Sequence, residues 1–408
     1  MMRKLLTIAT LFALPFGGVG GGLHAQGLKD AYKDYWRTSV SVNQWEVEAE
    51  KAANPNFDYS GMVSLDQTSH WDNIVKNFDW VVAENCMKCE VIHPQEGVYD
   101  FTLADKFVDK ALASGLKVMG HCLIWHSQCA PWFHVDKEGK LVSKEVLKKR
   151  MKEHITTIMS HFKGRVSAWD VVNEGFEDDG SLRKSLFWQI LGEDYIPLAF
   201  QYAHEADPTA ELYYNDFSMN KPTKVESVVN FFRPLIEKGL PVTAIGMQGH
   251  MILEDAKELL PQYDHSIKTI ASLGIPAFYS ELDLSVLPNP YGFSGANVSD
   301  RFSYTPDKDP YKDGLTKEKE QEINQYWVDF YKVLLANKEN ILRVGFWCVN
   351  DANSWRNDFP IKGRTDYATL FNRDNTPKAA VGQIIDLVKP QCCQADAKAK
   401  TKKTKKTK

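Results

Sequence analysis

Long apolar runs are scarce in this chain of 408 residues. One stretch, Leu5 to Phe16, approaches such a run, and the glycines among residues 17–22 stop it short of the length a spanning helix needs. No other segment reaches membrane length, so no transmembrane segment is expected. Cysteine is also sparse: seven residues, an odd number, so at least one thiol stays unpaired in an exported chain. None of them lies directly after the amino-terminal apolar run, the first being Cys86, which argues against a lipid-anchored amino terminus. A Gly-rich phosphate turn after the first strand-like run is missing too, which counts against an open dinucleotide-binding sheet. Finally, acidic residues are absent from the last eleven positions, 398–408, where seven Lys are mixed only with Ala and Thr.

The amino terminus has the make-up of a secretory signal: Arg3 and Lys4, then the apolar run, then Leu23-His24-Ala25 as a cleavage site. The mature chain is expected to start near Gln26 and to work outside the cytoplasm, whether secreted, periplasmic or held at the cell surface. Two of the 49 basic residues lie in the signal and seven in the tail. The body therefore holds 40 basic and all 53 acidic residues, a formal charge of −13. An acidic body does not suit nucleic-acid binding, and the Lys-rich tail at 391–408, all of one sign from 398 onward, is expected to stay disordered. With 43% apolar and 12% aromatic residues, 26–390 can bury a large core.

That body alternates β-rich apolar runs with helical patterns about eight times. Strands are expected at 39–43, 80–84, 117–125, 166–174, 211–215, 242–248, 276–281 and 341–347. Helices are expected between them, among them 103–114, 147–162, 185–206 and 318–337. The spacing of roughly 40 residues is that of βα units around a parallel sheet. Eight units predict a single (β/α)8 TIM barrel with enlarged βα loops, an α/β fold. Active residues of such a barrel gather at the carboxyl ends of its strands.

The strand ends carry polar and aromatic groups. They read Glu84-Asn85-Cys86-Met87-Lys88, His121 to Gln128 with Trp125 between, Asn173-Glu174, Tyr214-Asn215-Asp216, Gln248-Gly249-His250, Glu281 and Trp347, with Trp355-Arg356 beyond. A single His or Trp there is more often packing than chemistry. Seven such ends together are not what packing alone produces. Glu174 and Glu281 each close an apolar run, and two carboxylates across a cleft are what glycosidic hydrolysis requires. One must hold a proton for the leaving oxygen; the other must stay ionised against the developing positive charge. Cys86, Cys89, Cys122 and Cys129 permit a four-thiolate zinc site, but Cys86 and Cys122 fall at strand ends, where a buried free thiol acts as a small hydrophobe.

Six motifs carry a resemblance to glycoside hydrolase family 10 endo-1,4-β-xylanases, over about residues 30 to 388. They are Glu84-Asn-x-Met-Lys88, Gly120-His-x-Leu-x-Trp-His-x-Gln128, Trp169-Asp-Val-Val-Asn-Glu174, Gly246-Met-Gln-Gly-His250, Ser280-Glu-Leu-Asp283 and Trp347-x-Val-x-Asp-x-x-Ser-Trp-Arg356. The resemblance implies a retaining double displacement on xylan and xylo-oligosaccharides, with Glu174 as acid/base and Glu281 as nucleophile. It implies that Asn173 meets the sugar 2-hydroxyl, and that Glu84, Asn85 and Lys88 grip the next sugar. His121, Trp125 and Gln128 would floor the site. Gln248 and His250 belong to its substrate-binding set, His250 and Asp283 orienting the nucleophile. Tyr214 would stack the leaving side, and Trp347 with Trp355 would wall off carbon 5. No metal and no organic cofactor is implied, and a monomer is expected.

Departures from the common pattern are the cysteines inside two motifs and a long Pro-, Gly-, Asn- and Asp-rich segment at 287–314, expected to line the cleft. Asn297-Val-Ser299 is a glycosylation acceptor sequence. Two rival readings share these motifs: a β-glucanase on the same barrel, against which the Trp347 and Trp355 wall counts, and a xylan-binding protein without turnover, against which the presence of both carboxylates counts.

Overall fold

The computed structural model describes residues 26–43, 68–291 and 300–389. The signal, the tail with Cys392 and Cys393, and the Asn297 acceptor lie outside them. Ten strands are described: β1 (Arg37–Val42), β2 (Trp80–Ala83), β3 (Lys117–Gly120), β4 (Ile124–Trp125), β5 (Val166–Asn173), β6 (Glu211–Asp216), β7 (Ala244–Met247), β8 (His250–Ile252), β9 (Ala277–Ser285) and β10 (Ile341–Phe346). Eight of them form a closed parallel ring in the order β1, β2, β3, β5, β6, β7, β9, β10. β10 closes it by pairing with β1 in one direction, Arg343 opposite Arg37, and with β9 in the other. β4 and β8 are short extensions at the rim, beside β5 and β9. The fold is the expected (β/α)8 barrel.

Two differences from the expected elements matter for the cleft. The run 117–125 is two strands, with His121, Cys122 and Leu123 in the break between β3 and β4. The helix expected at 185–206 is split by a short turn at Gly192–Asp194, where Gly192 adopts a φ of 70°.

Helices begin where the sequence offers a cap. Ser143 accepts from the Val146 amide at the start of Lys144–Phe162, and Thr316 accepts from Lys319 at the start of Lys317–Ala336. Along the former, Leu147, Met151, Ile155, Ile158 and Phe162 are fully buried at helical spacing. That stripe covers the outer face of the barrel. Removing Ile155 to Ala would cost about 2–5 kcal/mol.

Strand side chains alternate between the helical layer and the barrel interior. On the inside, Trp80, Val82, Met119, Ala168, Tyr213, Ala244 and Phe278 fill the bore, with Trp347 above. Arg343 is fully buried there, 4.5 Å above the Trp80 ring, and donates to the Tyr213 hydroxyl at 2.9 Å. A guanidinium tolerates this place because aromatic faces and a hydroxyl replace water. The bore is therefore a packed core and not a channel.

Candidate active site

The carboxyl ends of the strands surround a cleft of about 490 Å³. Glu84, Asn85, Lys88, His121, Trp125, Gln128, Asn173, Glu174, Gln248, His250, Glu281, Trp347 and Trp355 all line it. Tyr214 does not.

Glu174 follows the last residue of β5 and adopts a φ of 57°, a left-handed conformation costly for a residue with a side chain. Neighbours hold it there. Its amide donates to the Asn215 carbonyl at 2.8 Å, and Arg183 Nε donates to its carbonyl at 3.0 Å. Its carboxyl oxygens accept from Trp125 Nε1 at 2.7 Å and Gln248 Nε2 at 2.8 Å. The carboxyl is thus fixed from two sides, and each oxygen retains a second lone pair.

Glu281 sits inside β9 and is buried. Its oxygens accept from Asn215 Nδ2 at 2.9 Å and from His250 Nε2 at 3.2 Å. Burial favours its neutral form. The His250 hydrogen bond and charge, His121 and Asn215 outweigh burial and hold the carboxyl below the usual range. His250 in turn is braced by Asp283, whose Oδ2 lies 2.8 Å from Nδ1. With both ring nitrogens facing carboxylates, the ring is an imidazolium. Burial alone would lower its pKa, but Asp283 and Glu281 raise it to about 9. Asp283 is itself held at about 2, the Arg356 and His250 charges overcoming burial. It accepts from Arg356 Nη2 at 2.9 Å and from Trp355 Nε1 at 2.7 Å. One buried aspartate therefore fixes the histidine, an arginine and the Trp355 ring.

Across the cleft, Lys88 Nζ donates to Asn85 at 2.9 Å and to Gln128 at 2.7 Å. Burial pushes Lys88 down and Glu84 up, while their mutual attraction opposes both shifts. His121 lies between β3 and β4 with its Nδ1 2.8 Å from Asp170. Trp347 meets the His121 ring edge-on at 5.5 Å, and Trp355 stacks on Phe359 at 5.0 Å.

Tyr214 is a correction. It was expected to stack on substrate, but it is fully buried on the outer face of β6 against Phe232. Its hydroxyl bonds Asp216 and accepts from the Gly175 amide at 3.0 Å, so it props the turn of Glu174 from behind. Asp216 pairs there with Lys224 at 2.8 Å, both fully buried. The alternation of β6 turns the next residue, Asn215, inward. Its Nδ2 donates to Asn173 at 3.1 Å as well as to Glu281, and its Oδ1 accepts from Ser280 at 2.7 Å. Gly246 leaves room for it, since a Cβ there would lie 2.5 Å from Asn215 Oδ1. Counting by two from Tyr213 would have assigned Asn215 inward. Phe217, Asn289 and Arg301 also line the cleft, Asn289 and Arg301 from the long segment after β9. The four-thiolate alternative does not assemble: no three of the described His, Cys, Asp and Glu residues come together as metal ligands.

The family model of glycosyl hydrolase family 10 matches residues 48–387. Endo-1,4-beta-xylanase A of Xylanibacter ruminicola is 44% identical over 387 residues, covering 95% of this chain and 100% of its own length. Beta-1,4-xylanase of Dictyoglomus thermophilum is 34% identical, over 93% of this chain and 97% of its own. A solved GH10 endoxylanase from a sugarcane soil metagenome has a TM-score of 0.79 at 37% identity, covering 88% of this chain and 100% of that one. A solved mutant in complex with xylotriose has a TM-score of 0.74 at 32% identity, covering 88% and 99%. The fold, the cleft and these likenesses agree, and this chain belongs to glycosyl hydrolase family 10.

Proposed function

We propose that this chain is an endo-1,4-β-xylanase that hydrolyses xylan by retaining double displacement. The observation that carries the reading is the unequal treatment of two carboxyls in one cleft. Glu281 is held as an anion by an imidazolium and an amide, whereas Glu174 meets only the neutral donors of Trp125 and Gln248. Glu281 attacks the anomeric carbon while Glu174 gives its proton to the leaving oxygen. The glycosyl-enzyme removes the negative charge of Glu281, and Glu174 then takes a proton from the attacking water. Asn173, held by Asn215, meets the 2-hydroxyl, where a hydrogen bond strengthens in the transition state.

Substrate choice rests on the tryptophans. Trp355 is pinned by Asp283 and Phe359. A rigid wall at carbon 5 accepts the bare methylene of xylose and crowds the hydroxymethyl of glucose. The names of the relatives and the xylotriose complex support the same substrate class. The enzyme is proposed to be exported and monomeric; amino-terminal sequencing of extracellular protein should start near Gln26. The reading is tested by proton NMR of the first products from xylan. Newly formed β-anomers are expected. Initial α-anomers would exclude retention, and faster cleavage of mixed-linkage glucan than of xylan would transfer the assignment to a glucanase.

A further inference from the structure

We propose that Cys89 and Cys129 are a thiol pair that closes into a disulfide when the chain meets a disulfide oxidant, locking one wall of the cleft. Both are free thiols here, and Cys129 Sγ donates to Cys89 Sγ at 3.5 Å. A disulfide needs about 2.05 Å, so the sulfurs need approach by only about 1.5 Å. They come from different βα loops, the ones after β2 and after β4. Those loops are already in register. The Glu90 amide donates to the Gln128 carbonyl at 3.0 Å, and the Gln128 side chain donates to Glu90 Oε1 at 2.9 Å. Each cysteine also follows directly on a cleft residue, Lys88 and Gln128, which bond one another at 2.7 Å. The covalent link would therefore sit immediately behind the Lys88–Gln128 pair.

Cys89 is buried and Cys129 is partly exposed, which makes Cys129 the sulfur an oxidant reaches; its hydrogen bond to Cys89 and burial push the Cys129 thiol up, so the reaction quickens as pH rises. The Cys129 thiolate attacks one sulfur of an oxidant R–S–S–R, forming a mixed disulfide and releasing RS⁻. The Cys89 thiolate then attacks the Cys129 sulfur, forming the protein disulfide and releasing the second RS⁻. The two thiol protons end on two RSH, so two cysteines are oxidised and one small disulfide is reduced.

The test exposes the full chain to oxidised glutathione, alkylates it under denaturing conditions and digests it without reduction. A peptide pair joined through Cys89 and Cys129, lighter by two hydrogens than the reduced pair, is expected by mass spectrometry. Alkylation of both thiols, glutathione adducts alone, or a link from either to another cysteine would overturn the proposal. The oxidised chain should melt about 4 °C above the reduced one, because the bond closes a segment of about 40 residues. Cys89→Ser and Cys129→Ser should each abolish that difference; its persistence in both variants would also overturn it. The effect on substrate rests on the proposed sugar-gripping role of the wall. There, oxidation should lower KM for xylan about threefold by holding Lys88 and Gln128 in place, with kcat little changed. A link with no change in KM upholds the thiol pair and removes that role from the wall.

Discussion

Replacing Asp283 with Asn tests whether the environment of Glu281, the proposed nucleophile, is set from one layer deeper. Asp283 is fully buried and faces three donors: His250, Trp355 and Arg356. It is the largest of the influences that raise His250 to about 9 from an ordinary 6.5. That shift corresponds to about 3 kcal/mol in favour of the charged ring. Without the anion, burial dominates and the ring becomes neutral near pH 7. Glu281 then loses a charge-assisted hydrogen bond, a loss of about 1.5–3 kcal/mol, or about 10- to 150-fold in kcat/KM. The informative substrate is a 2,4-dinitrophenyl xylobioside, whose leaving group departs without a proton from Glu174. Its kcat/KM should fall above pH 9 in the wild type and above a pH at least two units lower in Asp283→Asn. Coincident alkaline limbs in the two proteins would refute the argument. Arg356, left without its buried partner, should also destabilise the variant by about 3–5 kcal/mol, so the profile is recorded well below the melting transition.

The same groups make stability depend on pH. The folded pKa of His250 is raised, so its contribution is complete below 6.5 and lost as pH rises through about 9. Asp283 is depressed, so its contribution holds above the ordinary carboxylate range and is lost as pH falls through about 2; melting temperatures across pH 2–10 check both arms. Glu281→Ala should abolish activity on every substrate and recover with azide to give a glycosyl azide of inverted configuration. Glu174→Ala should lose far less on dinitrophenyl than on poor leaving groups, and equal losses would remove the division of roles. Asn215→Ala frees Glu281 and Asn173 together and should lower kcat about 30- to 150-fold, a loss of about 2–3 kcal/mol, with KM for xylobiosides nearly unchanged. Cutting the chain after Ala397 should leave turnover on soluble xylan unaltered, as measured by reducing-sugar release.

The order of strands and helices was legible because a barrel is built from local repeats. Each βα unit writes its apolar period and its caps, such as Ser143 and Thr316, into consecutive residues. The two glutamates were legible because strand ends are local too, and the rim of a parallel barrel gathers such ends whatever the loops do. Tyr214 and Asn215 mark where the sequence ran out. Adjacent strand residues face opposite layers, so a step of one residue exchanges a tyrosine packed under the helices for the buried amide that holds Glu281. β5 adds a register shift between Asp170 and Val172 that no local pattern announces. The grip of Arg356 on Asp283, and the meeting of Cys89 with Cys129, depend on segments 73 and 40 residues apart along the chain. Sequence by itself determined the repeat, the rim and the chemical types available there. Only the closed barrel decided which of them touch, because contact across a ring depends on closure, twist and register, to which every strand contributes.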